Sequence, residues 1–111
     1  MAGTDKRIAG PAYIASSVAD LYTPPASTIF TLIGHMHFAN TAAVARTFSM
    51  YVGATGGSTG GTELFKDFEI AANSTYDYWC RLRMSSTDFL TAVASAANSI
   101  TVTIEGTQAV V

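Results

Sequence analysis

From Thr28 to Asn40 the chain alternates, with Phe30, Leu32, Gly34, Met36 and Phe38 on one parity and Thr31, Ile33, His35 and His37 on the other. That period is the signature of a strand with one buried face. Residues 47–53 repeat it, with Phe48, Met50 and Val52 opposite Thr47, Ser49 and Tyr51. The link Thr41-Ala42-Ala43-Val44-Ala45 is short enough for a hairpin-like connection, so the two strands are expected to be adjacent and antiparallel.

The rest of the chain reads in the same way. A short strand over residues 18–22 ends at Thr23-Pro24-Pro25-Ala26-Ser27, where proline fixes the backbone and removes donors. Residues 54–62, rich in Gly, Ser and Thr, have the composition of a mobile loop. Beyond it lie a strand from Glu63 to Ile70, a turn at 71–74, and a strand over 75–83 that sets Tyr76, Tyr78, Cys80 and Leu82 against Asp77, Trp79 and Arg81. Residues 89–96 fit a strand or a short helix and are read as strand. Ile100, Val102 and Ile104 alternate with Thr101, Thr103 and Glu105 in a closing strand.

Short strands at near-regular spacing, with no long helix, predict an all-β fold. The expected architecture is a single β-sandwich or jelly-roll-like domain of about eight short antiparallel strands over residues 15–111. Residues 1–14 carry no strong pattern and are read as a frayed terminus or as an extended N-terminal arm that fastens the subunit to the shell or to its neighbour. Deleting that arm is expected to abolish binding and leave a folded domain.

Composition narrows the function. At 111 residues the chain fits one domain and one core. Charged residues make up 13% of it, against roughly 25% in ordinary soluble domains. A small domain this short of charge is expected to cover apolar surface with a partner, as a subunit of an assembly. A net charge of −2, with no basic cluster, argues against nucleic-acid binding. A lone Cys80 excludes an internal disulfide. No apolar run reaches the roughly 18 residues of a membrane span, and the first residues contain no signal-like apolar stretch, so synthesis and folding in the cytoplasm are expected. Asn73-Ser74-Thr75 matches a glycosylation acceptor and is read as chance in that setting.

Candidate sites are few. His35 and His37, two apart on a strand, project from one face as zinc or nickel ligands would. No Cys or Glu cluster is placed to complete a site, so they are read as strand-face histidines, and no metal or cofactor is expected. The glycine-rich loop lacks the Gly-Lys-Ser/Thr and following helix of a phosphate cradle. Asp67, Glu69, Asp77 and Asp88 read as scattered solvated carboxylates, and Cys80, on an apolar parity, as an inert thiol. No catalytic residue is expected. Of the aromatic cluster, Trp79 lies opposite the tyrosines and is the expected interface anchor. Lys6, Arg7 and Tyr13 from the arm, with His35, His37 and Tyr51, complete the expected interface set.

Three runs, Leu21-Tyr22-Thr23-Pro24-Pro25-Ala26-Ser27-Thr28, Gly34-His35-Met36-His37-Phe38-Ala39-Asn40-Thr41 and Phe48-Ser49-Met50-Tyr51-Val52-Gly53, resemble small β-sandwich virion proteins of tailed bacteriophages. Ile70-Ala71-Ala72-Asn73-Ser74 and Ile100-Thr101-Val102-Thr103-Ile104-Glu105-Gly106 extend the resemblance over about residues 18–106. It implies a non-enzymatic capsid decoration or cement protein that sits on the head, bound to the major capsid protein or other virion proteins, as a homo-oligomer with a trimer favoured. A minor tail or fibre-associated protein is the second implication. A carbohydrate- or receptor-binding module, with Trp79, Tyr51 and the 54–62 loop as its site, is the competing class.

Overall fold

Among the described residues eight strands form, and every one is antiparallel to its neighbours: β1 (Thr4–Tyr13), β2 (Ala19–Tyr22), β3 (Thr28–Asn40), β4 (Arg46–Gly53), β5 (Glu63–Ile70), β6 (Thr75–Ser85), β7 (Phe89–Ala94) and β8 (Ile100–Val110). The computed structural model describes residues 3–57 and 59–111, and the described residues contain no helix. The pairing is nested, β1 with β8, β2 with β7, β3 with β6 and β4 with β5. Rolling that ribbon adds the pairs β3 with β8 and β4 with β7. Two four-stranded sheets result, β1-β8-β3-β6 and β2-β7-β4-β5. This is the strand order of a jelly roll.

The core lies between the sheets and is built from the alternation that marked the strands. Met36, Phe38, Ile100, Val102 and Ile104 face Phe48, Met50, Leu90 and Ala92, all at or below 1% exposure. Phe38 and Phe48 stack across the sandwich at 4.4 Å between ring centroids.

Buried polar groups tie the sheets together at both ends. At one end Asn40, 2% exposed, donates from Nδ2 to the carbonyls of Val44, Ile70 and Ala71 and accepts the Ala42 amide on Oδ1. At the other, Gln108 Nε2 donates to Tyr22 Oη at 2.6 Å, and Tyr22 Oη shares a hydrogen bond with Thr31 Oγ1 at 2.8 Å. Each group finds a partner, as burial requires.

Three expectations are corrected. The strands on either side of Thr41–Ala45 are not adjacent: β3 and β4 lie in different sheets, and the link arches between them, closed by Asn40. The first residues are not a free arm, because Thr4–Tyr13 is the edge strand β1, in register with β8 from Gln108 back to Thr101. Removing it would strip β8 of one of its two partners, so the deletion expected to spare the fold would damage it. Residues 89–96 form the strand that was expected, which ends at Ala94.

The third correction is to the phase of β3. Met36 and Phe38 face the core as expected, but so do Thr31 and Ile33, while Phe30 and Leu32 are only half-buried. The cause is a register break at Gly34. Ile104 to Gly106 on β8, Ile33 to Met36 on β3 and Tyr78 to Leu82 on β6 span the same stretch, so each strand is one residue longer than the one before. Such bulges bend a sheet and re-aim its side chains. Phe30, turned outward, is covered by the Arg83 guanidinium at 4.3 Å.

Candidate functional site on the outer sheet face

The same bulge shapes the outer surface of the β1-β8-β3-β6 sheet. Side chains there stand on the parity opposite the core, so His35 and His37 of β3, Asp77 and Trp79 of β6, and Glu105 of β8 share one face. An open groove of about 590 Å³ follows the bend, lined by Arg7, Gly34, His35, Trp79, Glu105 and Thr107 among others. Gly34 and Gly106 both line it, and a Cβ at Gly34 would meet nothing within 4 Å.

Pairing register assembles the polar centre. His37 lies directly opposite Asp77, and His35 opposite Trp79 on one side and Glu105 on the other. Asp77 Oδ1 is 2.7 Å from His37 Nδ1 and 2.9 Å from His35 Nε2. The other nitrogen of His35 faces Glu105 Oε1 at 3.4 Å. The hydrogen bonds from His37 and then His35 hold the Asp77 carboxyl below its ordinary value of 3.8. His35 is the most sheltered of the three, with its side chain at 16% exposure against 40% for His37 and 45% for Asp77.

Trp79 caps this centre. Its indole stacks on the His35 ring and remains 74% exposed. On the reverse side of β6, Tyr76 and Tyr78 pack on the core, as the alternation predicts. Cys80 joins them: burial pushes its thiol up, and Sγ contacts the Ile33 carbonyl at 3.4 Å. A raised thiol is a poor nucleophile.

The residues singled out from sequence are only partly brought together. Arg7, His35, His37 and Trp79 share the outer face, with Arg7 opposite Glu105 in the β1–β8 ladder. Lys6, its neighbour, turns to the sandwich end and donates to Gln108 Oε1 at 3.2 Å. Tyr13 is exposed at the far end of β1.

Tyr51 is a correction. It lies on the other sheet, 6% exposed, in a cross-strand row with Thr91 and Asp20. The glycine-rich loop is tied over this row by the Gly57 amide, which donates to Asp20 Oδ1 at 2.9 Å. Tyr51 therefore cannot join Trp79 in one site. Asp77 and Glu105, by contrast, gain their place purely through strand pairing, and no local pattern marks them out.

The nested pairing and the two-sheet order define the class: a jelly-roll β-sandwich with an open polar groove on one outer face. No protein-family model and no curated protein matches the sequence. Among solved structures, the chain is similar in fold to a chain from the structure of infectious bursal disease virus Gx strain, with a TM-score of 0.51 and 11% identity. The match covers 95% of this chain and 31% of that one, so this protein spans about a third of its neighbour's length.

Proposed function

We propose that this chain is a structural protein of a virus particle, and more narrowly a decoration or cement protein on the head of a tailed bacteriophage. The observation that carries the reading is the outer face of the β1-β8-β3-β6 sheet, where a 74% exposed Trp79 stands over a shaped groove. A large exposed aromatic held in one orientation by a stacked neighbour is the kind of side chain that anchors protein interfaces. Jelly rolls recur in viral shells, and the fold neighbour comes from a virus structure.

In this reading Trp79, His35, His37 and Arg7 meet the major capsid protein or a second copy of this chain, and a trimer is the favoured assembly. Each contact is small, and repetition over a shell makes the sum large. The test is absolute mass by light scattering together with sedimentation against purified heads and tails. A trimer that pellets with heads supports decoration. A chain that pellets only with tails moves it to the tail, and one that ignores both overturns the proposal.

The groove itself favours a second reading. An exposed indole beside hydrogen-bonding groups on a jelly roll also suits a carbohydrate, since lectin domains share the architecture. Selective binding on a glycan array would support it, and no selective binding would set it aside.

A further inference from the structure

We propose that His35, His37 and Asp77 form a binding site for a divalent transition-metal ion of the zinc type. One donor atom from each of the three lies within 4.8 Å of the other two, and Asp77 Oδ1 is within hydrogen-bond distance of both His35 Nε2 and His37 Nδ1. Zinc takes imidazole nitrogen at about 2.0–2.1 Å and carboxylate oxygen at about 2.0–2.2 Å, which in a tetrahedron sets the ligands roughly 3.3 Å apart. The two observed contacts, 2.9 Å and 2.7 Å, are those of protons shared between the same atoms. An ion that replaces the protons needs the Asp77 oxygen to withdraw by about half an ångström, and the two imidazole nitrogens to settle at the same spacing of roughly 3.3 Å. Asp77 is an exposed strand side chain and can make that movement.

The donor positions are built into the sheet. His35 and His37 are two apart on β3, and Asp77 is the registered partner of His37 on β6, so the backbone ladder sets their spacing. A second, independent arrangement supports the first. Glu105 Oε1 faces Nδ1 of His35, and Trp79 lies flat on the same ring at 4.0 Å. A carboxylate behind a ligating imidazole fixes its tautomer, so that the opposite nitrogen carries the lone pair. The indole fixes its plane. The fourth position opens to solvent, where water or a donor from a bound partner completes the shell. Two imidazoles and one carboxylate select zinc, copper or nickel over magnesium or calcium.

The test is calorimetric titration of the untagged chain with zinc chloride and, separately, magnesium chloride. It needs no virus particle, so its outcome is independent of the decoration reading. Saturable heat at one zinc per chain and none with magnesium is expected. His37→Gln and Asp77→Asn should each weaken zinc at least about tenfold, and Glu105→Gln about tenfold, with circular dichroism unchanged. The wild-type imidazole nitrogen resonances of His35 and His37 should shift as zinc is added. Absence of zinc heat, equal response to magnesium, undiminished binding by Asp77→Asn, or heat without movement of those resonances would overturn the site.

Discussion

The indole of Trp79 lies against the imidazole of His35 with ring centroids 4.0 Å apart and planes within 18° of parallel. The two residues are registered partners on β6 and β3, immediately beside the bulge that opens the groove. The stack orders an exposed aromatic without burying it, which suits a residue whose partner lies outside the chain.

Trp79→Ala should therefore separate folding from binding. An aromatic stack contributes about 0.5–1.5 kcal/mol, so urea denaturation should show a loss of no more than about 1.5 kcal/mol. Binding to the particle should fall by about 2 kcal/mol or more, as expected of an interface anchor. A large loss of stability with binding intact would reverse those roles.

Two glycines test the geometry of the bend. A Cβ on Gly106 would sit 2.1 Å from the Leu32 carbonyl oxygen and 3.0 Å from Ile33 Cα, both backbone atoms that cannot step aside alone. Gly106→Ala should cost about 1–3 kcal/mol, in the range of an overpacked site. At Gly34 a Cβ meets nothing within 4 Å, and Gly34→Ala should lie within about 0.5 kcal/mol of the parent. Equal effects at the two positions in thermal or urea melts would contradict this picture of the bulge.

Asn40 joins the sheets through one side chain. Asn40→Ala leaves the carbonyls of Val44, Ile70 and Ala71 without this donor, and at least one of them is buried. A loss of about 3 kcal/mol is expected, a large part of the stability of a small domain. Urea denaturation measures it, and a change under about 1 kcal/mol would mean that the arch closes without this group.

Acid should weaken the Asp77 cluster first. Its carboxyl is depressed by the two histidine hydrogen bonds, so the stabilisation is fully present above 3.8, the ordinary value, and is lost as pH falls through the lower folded-state value. Measured in chelator, wild type should melt above Asp77→Asn at neutral pH, and the two should converge in strong acid. A difference that persists below that range would assign the effect to packing.

Cys80 should resist labelling. The thiolate is the reactive form, and burial raises the thiol above its ordinary value of 9.0. A disulfide reagent at neutral pH should modify the folded chain at least about tenfold more slowly than the urea-unfolded chain. Equal rates would mean that the thiol is open.

The strands were legible because alternation is local. Tyr76, Tyr78, Cys80 and Leu82 separate from Asp77, Trp79 and Arg81 without knowledge of any other strand, and the structure keeps that division. The phase of β3 was legible only beyond Gly34, because a bulge resets parity without a fixed residue signature. Sheet membership was harder still. Thr41–Ala45 has the length of a hairpin link, and only the burial of Asn40 shows that it crosses between sheets. β1 has little apolar content, and its order comes from β8 at the other end of the chain. The site suffers the same blindness: the histidines were visible two apart, but Asp77 and Glu105 reach them through pairings that span the sequence.

The most direct test of the central claim is co-sedimentation of wild type and Trp79→Ala with purified heads, with tails as the control. Wild type should pellet with heads and not with tails, and the variant, still folded, should stay in the supernatant. Wild type that pellets with neither, or a variant that pellets as well as wild type, would contradict it.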